Sequence, residues 1–287
     1  MNPPHAKLVP PATVASPDDD VAGWLDEALA PAGPPSPDTD AQAAAVRGRL
    51  QQRLAASRAA EAAMVTARLR RVEAVALAAG VSARTLYAVH PGAVLRPGEP
   101  LRVRLIELAA GARLTPAALG GEATLRARHR EWLVVAGAVT LGAEVLSARD
   151  YHVTPAGHDT PVWSSRHGAR LFLRESDAVG GDAPHTVRDA DAGWPAFAPG
   201  IQRRVLWQHG GQAALLYLAQ PGAQVPDHTH GHDEECLMVE GALFLDDVLL
   251  QPGDYQLAPA GSGHRVTATD TGVVIYAHGD LDLRFVG

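Results

Sequence analysis

An internal repeat with a period of 104 residues constrains the fold of this chain more than any other feature. Displaced by that period, residues 131–138 (Glu-Trp-Leu-Val-Val-Ala-Gly-Ala) align with residues 235–242 (Glu-Cys-Leu-Met-Val-Glu-Gly-Ala). The same displacement aligns Asp150-Tyr151 with Asp254-Tyr255 and Pro155-Ala-Gly157 with Pro259-Ala-Gly261. Similarity at a fixed period indicates one structural unit that occurs twice. The repeat therefore predicts two copies of one module.

Both copies have the composition of β-structure. After Gly80, short runs of β-branched and aliphatic residues alternate with glycine and proline turns, and no long helical pattern follows. We therefore predict a mainly β chain with one module over residues 81–176 and a second over residues 195–287. The stretch between them, residues 177–194, is polar and glycine-rich, which is typical of a linker.

The N-terminal part differs in character from the modules. Residues 1–39 are rich in proline and aspartate, which predicts a mobile tail. Residues 40–80 lack proline and have apolar residues at helical spacing, which predicts a helical arm; these residues are Leu50, Leu54, Val65, Leu69, Val72 and Ala76. Seven arginines against three acidic residues make the arm basic. Either its apolar stripe packs on the rest of the chain, or the arm binds an acidic protein or nucleic acid.

Composition and charge exclude several classes of protein. With 46% hydrophobic and 20% charged residues, the chain can bury a core, which excludes a wholly disordered protein. The single cysteine, Cys236, excludes an internal disulfide framework and a multi-cysteine zinc site. The net charge of −7 argues against a protein that binds nucleic acid with its whole surface.

No segment has the pattern of a membrane span or a secretory signal. The longest apolar stretch, residues 132–141, is half the length that a spanning helix needs. The proline-rich start lacks the apolar core of a signal peptide. We expect a cytoplasmic protein without a membrane partner.

Three histidines and one glutamate of the second copy have the spacing of metal ligands. His228 and His230 are two residues apart, so on a strand both imidazoles point to one face. Glu234 follows a tight turn, and His264 follows the later proline–glycine turn, so both can reach the same point. Imidazole nitrogens with a carboxylate suit Fe, Mn, Ni, Cu or Zn rather than Ca or Mg. We predict one transition metal ion per chain, whose identity the ligand types leave open.

The segments that carry these residues resemble the two sequence motifs of the cupin superfamily. Residues 222–241 match G-x5-H-x-H-x3-E-x6-G, and residues 253–264 match G-x5-P-x-G-x2-H. Ala268 stands where the second motif usually has an asparagine, which is not a usual ligand. The resemblance implies two tandem jelly-roll β-barrels preceded by the helical arm. It also implies the metal ligands His228, His230, Glu234 and His264.

The first copy lacks this ligand set. Aligning Gly111 with Gly222 places Ala117 and Leu119 at the positions of the paired histidines, and the 104-residue period places Arg130 and Thr160 at those of Glu234 and His264. We interpret this copy as a degenerate barrel that is structural or binds a ligand without metal. Nearby histidines leave a rearranged site open; they are His129, His152, His158 and His167.

Strand parity assigns the neighbours of Glu234 to two faces. Cys236 and Met238 share its face and are predicted to line the barrel interior, whereas Glu235 takes the opposite face. Two apolar residues, Leu237 and Val239, then point outward, which predicts coverage by the other barrel or by a second subunit of a homodimer. His232 is predicted to be an exposed loop residue rather than a ligand.

Within the superfamily, the chain resembles ChrR-type cupins, which occur as regulators of extracytoplasmic-function sigma factors and as dioxygenase-like relatives. Residues 24–35 and the arginine-rich helix after them are similar to the stretch that follows the sigma-binding helices of anti-sigma factors. The zinc motif H-x3-C-x2-C of many such domains is absent, because Cys236 is the only cysteine. The resemblance implies a regulator whose metal barrel senses a small molecule or oxidant and whose arm contacts a sigma factor.

Two enzymatic functions are alternatives to the regulator. A non-haem metal-dependent dioxygenase would bind O2 and a small oxygen-rich substrate at the open positions of the metal. An isomerase or lyase would use the metal as a Lewis acid and would need a general base, for which Tyr255 is the candidate.

Overall fold

The computed structural model describes residues 37–177, 181 and 183–286, and most of these residues lie in antiparallel strands. The chain divides into two compact units, Met1–Arg58 and Ala59–Gly287. Residues 1–36 of the predicted tail, which include the stretch similar to anti-sigma factors, lie outside the described residues. No helix of the described part combines the length and the apolar character needed to cross a membrane.

The secondary structure consists of one long helix followed by many short strands. The helices are α1 (Pro37–Ala62), α2 (Glu122–Arg126) and α3 (Asp189–Ala192), with 3-10 turns at Leu69–Arg71 and Pro116–Leu119. The strands of the first half are β1 (Val65–Ala67), β2 (Val75–Ala78), β3 (Val81–Ala88), β4 (Pro100–Leu108), β5 (Arg113–Leu114), β6 (His129–Leu141), β7 (Glu144–Ser147), β8 (Tyr151–Thr154), β9 (Trp163–Ser164) and β10 (Ala169–Ser176).

The remaining strands lie in the second half of the chain. They are β11 (His185–Val187), β12 (Ala196–Ala198), β13 (Ile201–His209), β14 (Gln212–Ala219), β15 (Gln224–Val225), β16 (His228–Thr229), β17 (Glu234–Gly241), β18 (Leu243–Leu245), β19 (Val248–Leu250), β20 (Tyr255–Ala258), β21 (Gly263–His264), β22 (Thr267–Ala268), β23 (Val273–Asp280) and β24 (Arg284–Phe285). We call residues 75–176 the first barrel and residues 196–285 the second barrel. The predicted mainly β fold with tandem barrels after a helix is confirmed.

The predicted helical arm over residues 40–80 is wrong in its second half. The helix begins at Pro37, inside the predicted tail, where a residue without an amide proton suits the first turn. It ends at Ala62, and two strands and a 3-10 turn follow over residues 65–78. The apolar spacing there mimics a helix, but β-branched residues such as Val65 and Val75 pair with strands of the barrels instead. Tertiary pairing overrides the local pattern.

Two large sheets have the same strand order, with one exchange between them. The order is β11-β8-β6-β10-β4-β3-β2 in the first and β1-β20-β17-β23-β14-β13-β12 in the second. Strand β1, which precedes the first barrel, therefore belongs to the sheet of the second barrel. Strand β11, which precedes the second barrel, belongs to the sheet of the first. The sheet of each barrel therefore includes one strand from the segment that precedes the other barrel in the sequence.

Equivalent hydrogen bonds hold the two exchanged segments, which we call strap 1 (residues 65–71) and strap 2 (residues 185–192). In strap 1, Arg68 Nη1 and the Leu69 amide donate to the carboxylate of Asp254, both over 2.9 Å. In strap 2, the Asp189 amide donates to Asp150 over 2.7 Å. The predicted linker over residues 177–194 is thus wrong in part, because it contains strap 2. Residues 186–189 of this stretch are half-buried, and residues 190–193 are exposed.

Three apolar clusters form the core. One fills the first barrel around Trp132 and Trp163, and another lines the second barrel. The third lies between the two sheets and contains Leu237 and Val239 together with Leu105 of the first barrel. The outward apolar pair predicted from parity is therefore covered by the other barrel. This contact within one chain explains the pair without a second subunit.

A buried charged network lies in the same layer between the sheets. Arg174 donates to Glu235 Oε1 over 2.7 Å and to Glu131 Oε1 over 2.9 Å, and its side chain is 1% exposed. Tyr151 donates to Glu131, and Tyr255 donates to Glu235. These partners compensate the cost of burying two carboxylates and a guanidinium. Removing one partner would leave an uncompensated charge in the layer that joins the barrels.

Two histidines of this layer should make stability depend on pH. Burial lowers the pKa of His129 to about 4 and that of His278 to about 3. An unfolded histidine titrates near 6.5, so below that pH the unfolded chain binds more protons than the folded one. We expect the unfolding free energy of the metal-free protein to fall by about 2 kcal/mol per histidine between pH 6.5 and 4.5.

Urea titrations at the two pH values measure this loss. The variant His129→Gln should lose less stability on acidification than the wild type, because it cannot take up the proton. The variant His90→Gln changes an exposed histidine and should behave like the wild type. An equal loss in His129→Gln and the wild type would show that His129 does not contribute.

Candidate metal centre

Short strands place the four predicted ligands at one end of the second barrel. His228 lies on β16 and His264 on β21, and the two residues are direct partners in this antiparallel pair. His230 follows β16, and Glu234 begins β17. The strands approach closely because Gly263 has no side chain: a Cβ there would lie 2.3 Å from the His228 carbonyl oxygen. The glycine before His264 is therefore a geometric requirement of the site.

The four side chains converge on one point. Ligand atoms of His228, His230 and Glu234 all lie within 4.8 Å of one another. His230 Nε2 is 2.9 Å and His264 Nε2 is 3.9 Å from Glu234 Oε2. The imidazole of His264 lies 5.1 Å from that of His230 and 5.9 Å from that of His228, measured between ring centroids. The structure thus brings His228, His230 and Glu234 into one group and places His264 beside it, and the role of the four as metal ligands stays a prediction.

Hydrogen bonds to the second ring nitrogens fix the tautomers of the three histidines. His228 Nδ1 lies 2.9 Å from the Pro226 carbonyl oxygen, which can only accept. His264 Nδ1 faces the Asp246 carboxylate over 3.2 Å. Ser262 donates its proton to the Pro259 carbonyl, so it accepts from His230 Nδ1 over 3.3 Å. Each histidine then carries its proton on Nδ1 and offers the Nε2 lone pair to the centre, as metal ligands do.

The sequence reasoning did not identify Asp246, which orients His264. This residue has φ of +50°, a backbone region that side-chain-bearing residues rarely adopt. Its carboxylate also accepts the backbone amides of Arg265 and Val266 over 2.9 and 3.1 Å. The repeat offered a signal, because Asp246 stands at the position of Gly142, whose φ is +59°. An aspartate in place of a turn glycine indicates a side-chain role that outweighs the strain.

The electrostatics of the centre favour a carboxylate facing imidazoles. Burial opposes ionisation of Glu234, but His230, His228 and His264 outweigh it and lower the pKa of this carboxyl to about 2. Burial also opposes protonation of His230, and Glu234 outweighs it, so the pKa of His230 is raised. For His264 burial dominates and lowers the pKa. Glu234 is therefore a permanent anion that attracts a cation to the three nitrogens.

These residues fit a transition metal ion. The Nε2 atom of His264 is buried and has no hydrogen-bond partner among the described residues, and the buried Nε2 of His230 has only the Glu234 carboxylate, 2.9 Å away. Unpartnered polar atoms are rare in protein interiors because each costs about 1–3 kcal/mol. Coordination of one ion by His228, His230, Glu234 and His264 would satisfy both atoms. Occupancy and the identity of the ion stay predictions.

Solved structures with the same fold place this site in context. One is a candidate dioxygenase from Nostoc punctiforme, with 17% identity, a TM-score of 0.55 and coverage of 72% of this chain and 75% of that one. Another is a candidate glyoxylate-induced protein from Pseudomonas aeruginosa, with 15% identity, a TM-score of 0.54 and coverage of 78% and 86%. A third is Bacillus subtilis oxalate decarboxylase, which has Mn(II) centres, with 14% identity, a TM-score of 0.53 and coverage of 75% and 77%. At these identities the likeness shows the shared fold.

The match to a protein family covers the metal centre itself. Residues 182–282 match the family described as the ChrR cupin-like domain, and all four converging side chains lie within this range. The chain has the cupin fold. The resemblance of its two motifs to the cupin superfamily is thereby confirmed. No curated protein matches the sequence significantly.

A cavity of about 60 Å³ lies beside the candidate metal centre. His228 and Glu234 line it together with Cys236, and Met238 lies in the core cluster around it. Parity therefore predicted the inward face of β17 correctly. Burial raises the pKa of the Cys236 thiol well above its usual value, which suppresses the reactive thiolate.

Two residues near the centre are not in the group of potential metal ligands. His232 Nδ1 lies 2.5 Å from Asp280 Oδ1, and its side chain is 35% exposed. It is half-buried and held by this contact, which corrects the prediction of an exposed loop histidine. The candidate base Tyr255 lies on the opposite face, where its hydroxyl donates to Glu235 and its pKa is raised by burial. The Lewis-acid isomerase hypothesis thus loses its proposed base.

In the first barrel, an arginine occupies a position at which the second barrel has a candidate metal ligand. Arg130 stands at the position of Glu234 and is fully buried. Its guanidinium donates to the hydroxyl of Thr160, which stands at the position of His264, and to the carbonyl oxygens of Pro155 and His158. The Arg130 guanidinium thus connects segments of the first barrel whose equivalents in the second barrel a bound metal ion would connect.

The histidines of the first barrel form no alternative site. His152 Nδ1 lies 2.9 Å from the Thr186 hydroxyl of strap 2, and its ring packs against Trp163. His129 belongs to the layer between the barrels, 3.6 Å from Glu131. Among the described residues, the only group of His, Cys, Asp and Glu side chains that could hold a metal is the one in the second barrel.

Proposed function

We propose that this cupin is a metal-dependent regulator of the ChrR anti-sigma type. In this proposal the second barrel binds one transition metal ion and senses a small molecule or an oxidant. Helix α1 transmits the result to a sigma factor. The match of residues 182–282 to the ChrR cupin-like domain supports this function. When bound, the metal would supply Lewis acidity and, for a redox-active ion, an electron-transfer partner for the oxidant.

The connection between α1 and the metal barrel is the observation that carries the proposal. The helix ends at Ala62, and strand β1 begins at Val65 and pairs with β20 of the second barrel. Leu257 of β20 is the partner of Val65 on one side and of Glu235 on the other. Glu235 is the neighbour of the ligand Glu234. A rearrangement at the metal therefore has a continuous, hydrogen-bonded path to the base of the helix.

The helix itself has the features of an interaction arm. None of its described side chains is buried, and Leu50 and Leu54 are partly exposed. Three of the seven arginines predicted to make the arm basic lie beyond its end, in residues 68–71. The segment Pro37–Ala62 contains four arginines and three acidic residues, so the net charge of the helix is close to zero. A partner would accordingly be bound through the leucines and shape rather than through charge.

Limited proteolysis tests the regulator. We expect cleavage between residues 40 and 64 to differ between metal-free and Zn²⁺-loaded protein, or between Fe²⁺-loaded protein with and without peroxide. The variant His230→Ala should show the metal-free pattern in every condition, because it cannot complete the ligand set. Identical cleavage of the wild type in all states would contradict the proposal.

A metal-dependent dioxygenase is the second candidate, and the cavity beside the metal centre favours it. An enzyme needs no signal to the helix and should consume O2 with residues 1–62 removed. Oxygen uptake by Fe²⁺-loaded protein without these residues, combined with unchanged proteolysis of the full chain, would replace the regulator by the dioxygenase.

A further inference from the structure

The wall of the cavity beside the metal centre is mostly aliphatic. Sixteen residues line it, and ten of them are aliphatic, among them Ile201, Val225, Leu243, Leu245 and Ile275. The cavity leaves about 60 Å³ of space for water-sized molecules, which limits it to a small ligand. Aliphatic surface in such numbers favours a ligand with an apolar body.

No positive side chain compensates a second negative charge in the ligand. Lysine and arginine are absent from the lining residues. The ionisable residues of the wall are the two metal ligands His228 and Glu234, together with Tyr217 and Cys236. Tyr217 and Cys236 carry no positive charge in either protonation state. A carboxylate placed away from the metal would be buried without a partner, at a high cost.

One hydroxyl group of the wall is available to a ligand. Thr267 Oγ1 is buried and has no hydrogen-bond partner among the described residues. The other threonine of the wall, Thr269, donates its hydroxyl proton to the Ala242 carbonyl over 2.7 Å. Thr267 can therefore hydrogen-bond to a polar atom of the ligand, in a wall that is mostly aliphatic.

We propose that this cavity binds a small aliphatic molecule that carries one metal-binding oxygen group and no second charge. The oxygen group faces His228 and Glu234, the aliphatic body fills the apolar wall, and Thr267 donates one hydrogen bond. This inference rests on the proposed metal centre and names the class of molecule that the centre senses or transforms. It excludes small dianions such as oxalate as the preferred ligand.

A series of alkyl hydroxamates of increasing length tests the proposal on the Zn²⁺-loaded full chain. Isothermal titration calorimetry measures zinc stoichiometry first and then the affinities of acetohydroxamate, butyrohydroxamate, hexanohydroxamate and oxalate. We expect affinity to rise about fourfold with each added methylene group, because each is removed from water. Hexanohydroxamate should bind at least tenfold more tightly than oxalate. Equal affinities along the series, or tighter binding of oxalate, would overturn the inference.

Two variants locate the binding in the cavity. Ala223→Leu fills part of the wall at a partly exposed position and should weaken hexanohydroxamate at least tenfold while leaving acetohydroxamate unchanged. Thr267→Val should weaken the whole series about five- to tenfold, which is the worth of one hydrogen bond. Thr271→Val, at an exposed position, is the control and should change nothing.

The zinc titration separates this inference from the function on which it rests. Wild-type protein that binds no zinc would overturn both. Protein that binds one zinc ion and shows no preference for longer hydroxamates would leave the metal centre standing and overturn the ligand class. Each variant is compared at its own measured zinc content, so a misfolded variant is recognised by loss of the metal.

Discussion

Replacing His230 with alanine should reduce the bound metal from about one ion per chain to almost none. His230 is 4% exposed and faces Glu234 across 2.9 Å, so its removal leaves a gap in the ligand set that no neighbouring side chain fills. Three of four ligands would remain, and loss of one imidazole typically lowers affinity by orders of magnitude. Metal analysis after purification without chelator measures this loss directly.

The matched control is His232→Ala, two residues along the chain. His232 contacts Asp280 rather than the centre, so this variant should keep its metal. Loss of metal in both variants would show that the loop, rather than the ligand, decides binding. A second ion in the wild type would show that the first barrel, with Arg130 between its segments, also binds metal. The structure leads us to expect one ion.

Removing residues 1–79 should destabilise the second barrel severely, whereas removing residues 1–62 should leave both barrels folded. The longer deletion takes away strap 1 and with it the pairing of β1 to β20 and both hydrogen bonds to Asp254. It also exposes Gly253, against which Leu69 packs so closely that a Cβ there would lie 2.4 Å away. Loss of a fully buried leucine costs about 2–5 kcal/mol, and the partly buried Leu69 contributes a smaller amount that adds to the loss of strand pairing.

Thermal unfolding of the two truncated proteins measures the difference. We expect the shorter deletion to unfold near the temperature of the full chain and to keep its metal. The longer deletion should unfold at a temperature lower by at least 10 °C, or be insoluble. Arg68→Ala in the full chain isolates part of the effect. It should lower the free energy of unfolding by about 1–3 kcal/mol, because Asp254 loses a charged partner. Equal stability of both deletions would contradict a structural role of strap 1.

The candidate ligands could be predicted from sequence because their geometry is local. His228 and His230 share a face through the two-residue period of a strand, and Glu234 and His264 follow turns marked by glycine and proline. The same period placed Cys236 inside and Glu235 outside. None of these assignments needs knowledge of which distant strands pair.

The course of residues 63–80 could not be predicted, because its structure depends on distant partners. Val65 pairs with Leu257, a residue 192 positions along the chain. Its apolar spacing is compatible with a helix and with a strand, and only the edge of β20 selects the strand. Strap 2 escaped prediction for the same reason, since its Asp189 amide donates to Asp150 and its Arg188 side chain donates to Glu144 of the first barrel.

The sequence by itself determined that the residues with ligand spacing lie in one barrel and that the equivalent positions of the other hold different residues. The tertiary structure decided what replaces that set, because Arg130 reaches Thr160 and the carbonyl of Pro155 only when the strands curve into a barrel. It also decided that Asp246 orients His264 and that an apolar cavity lies beside the ligands. Ligand identity follows from spacing along one or two strands, whereas cavity shape and outer hydrogen bonds arise from contacts between segments far apart in the chain.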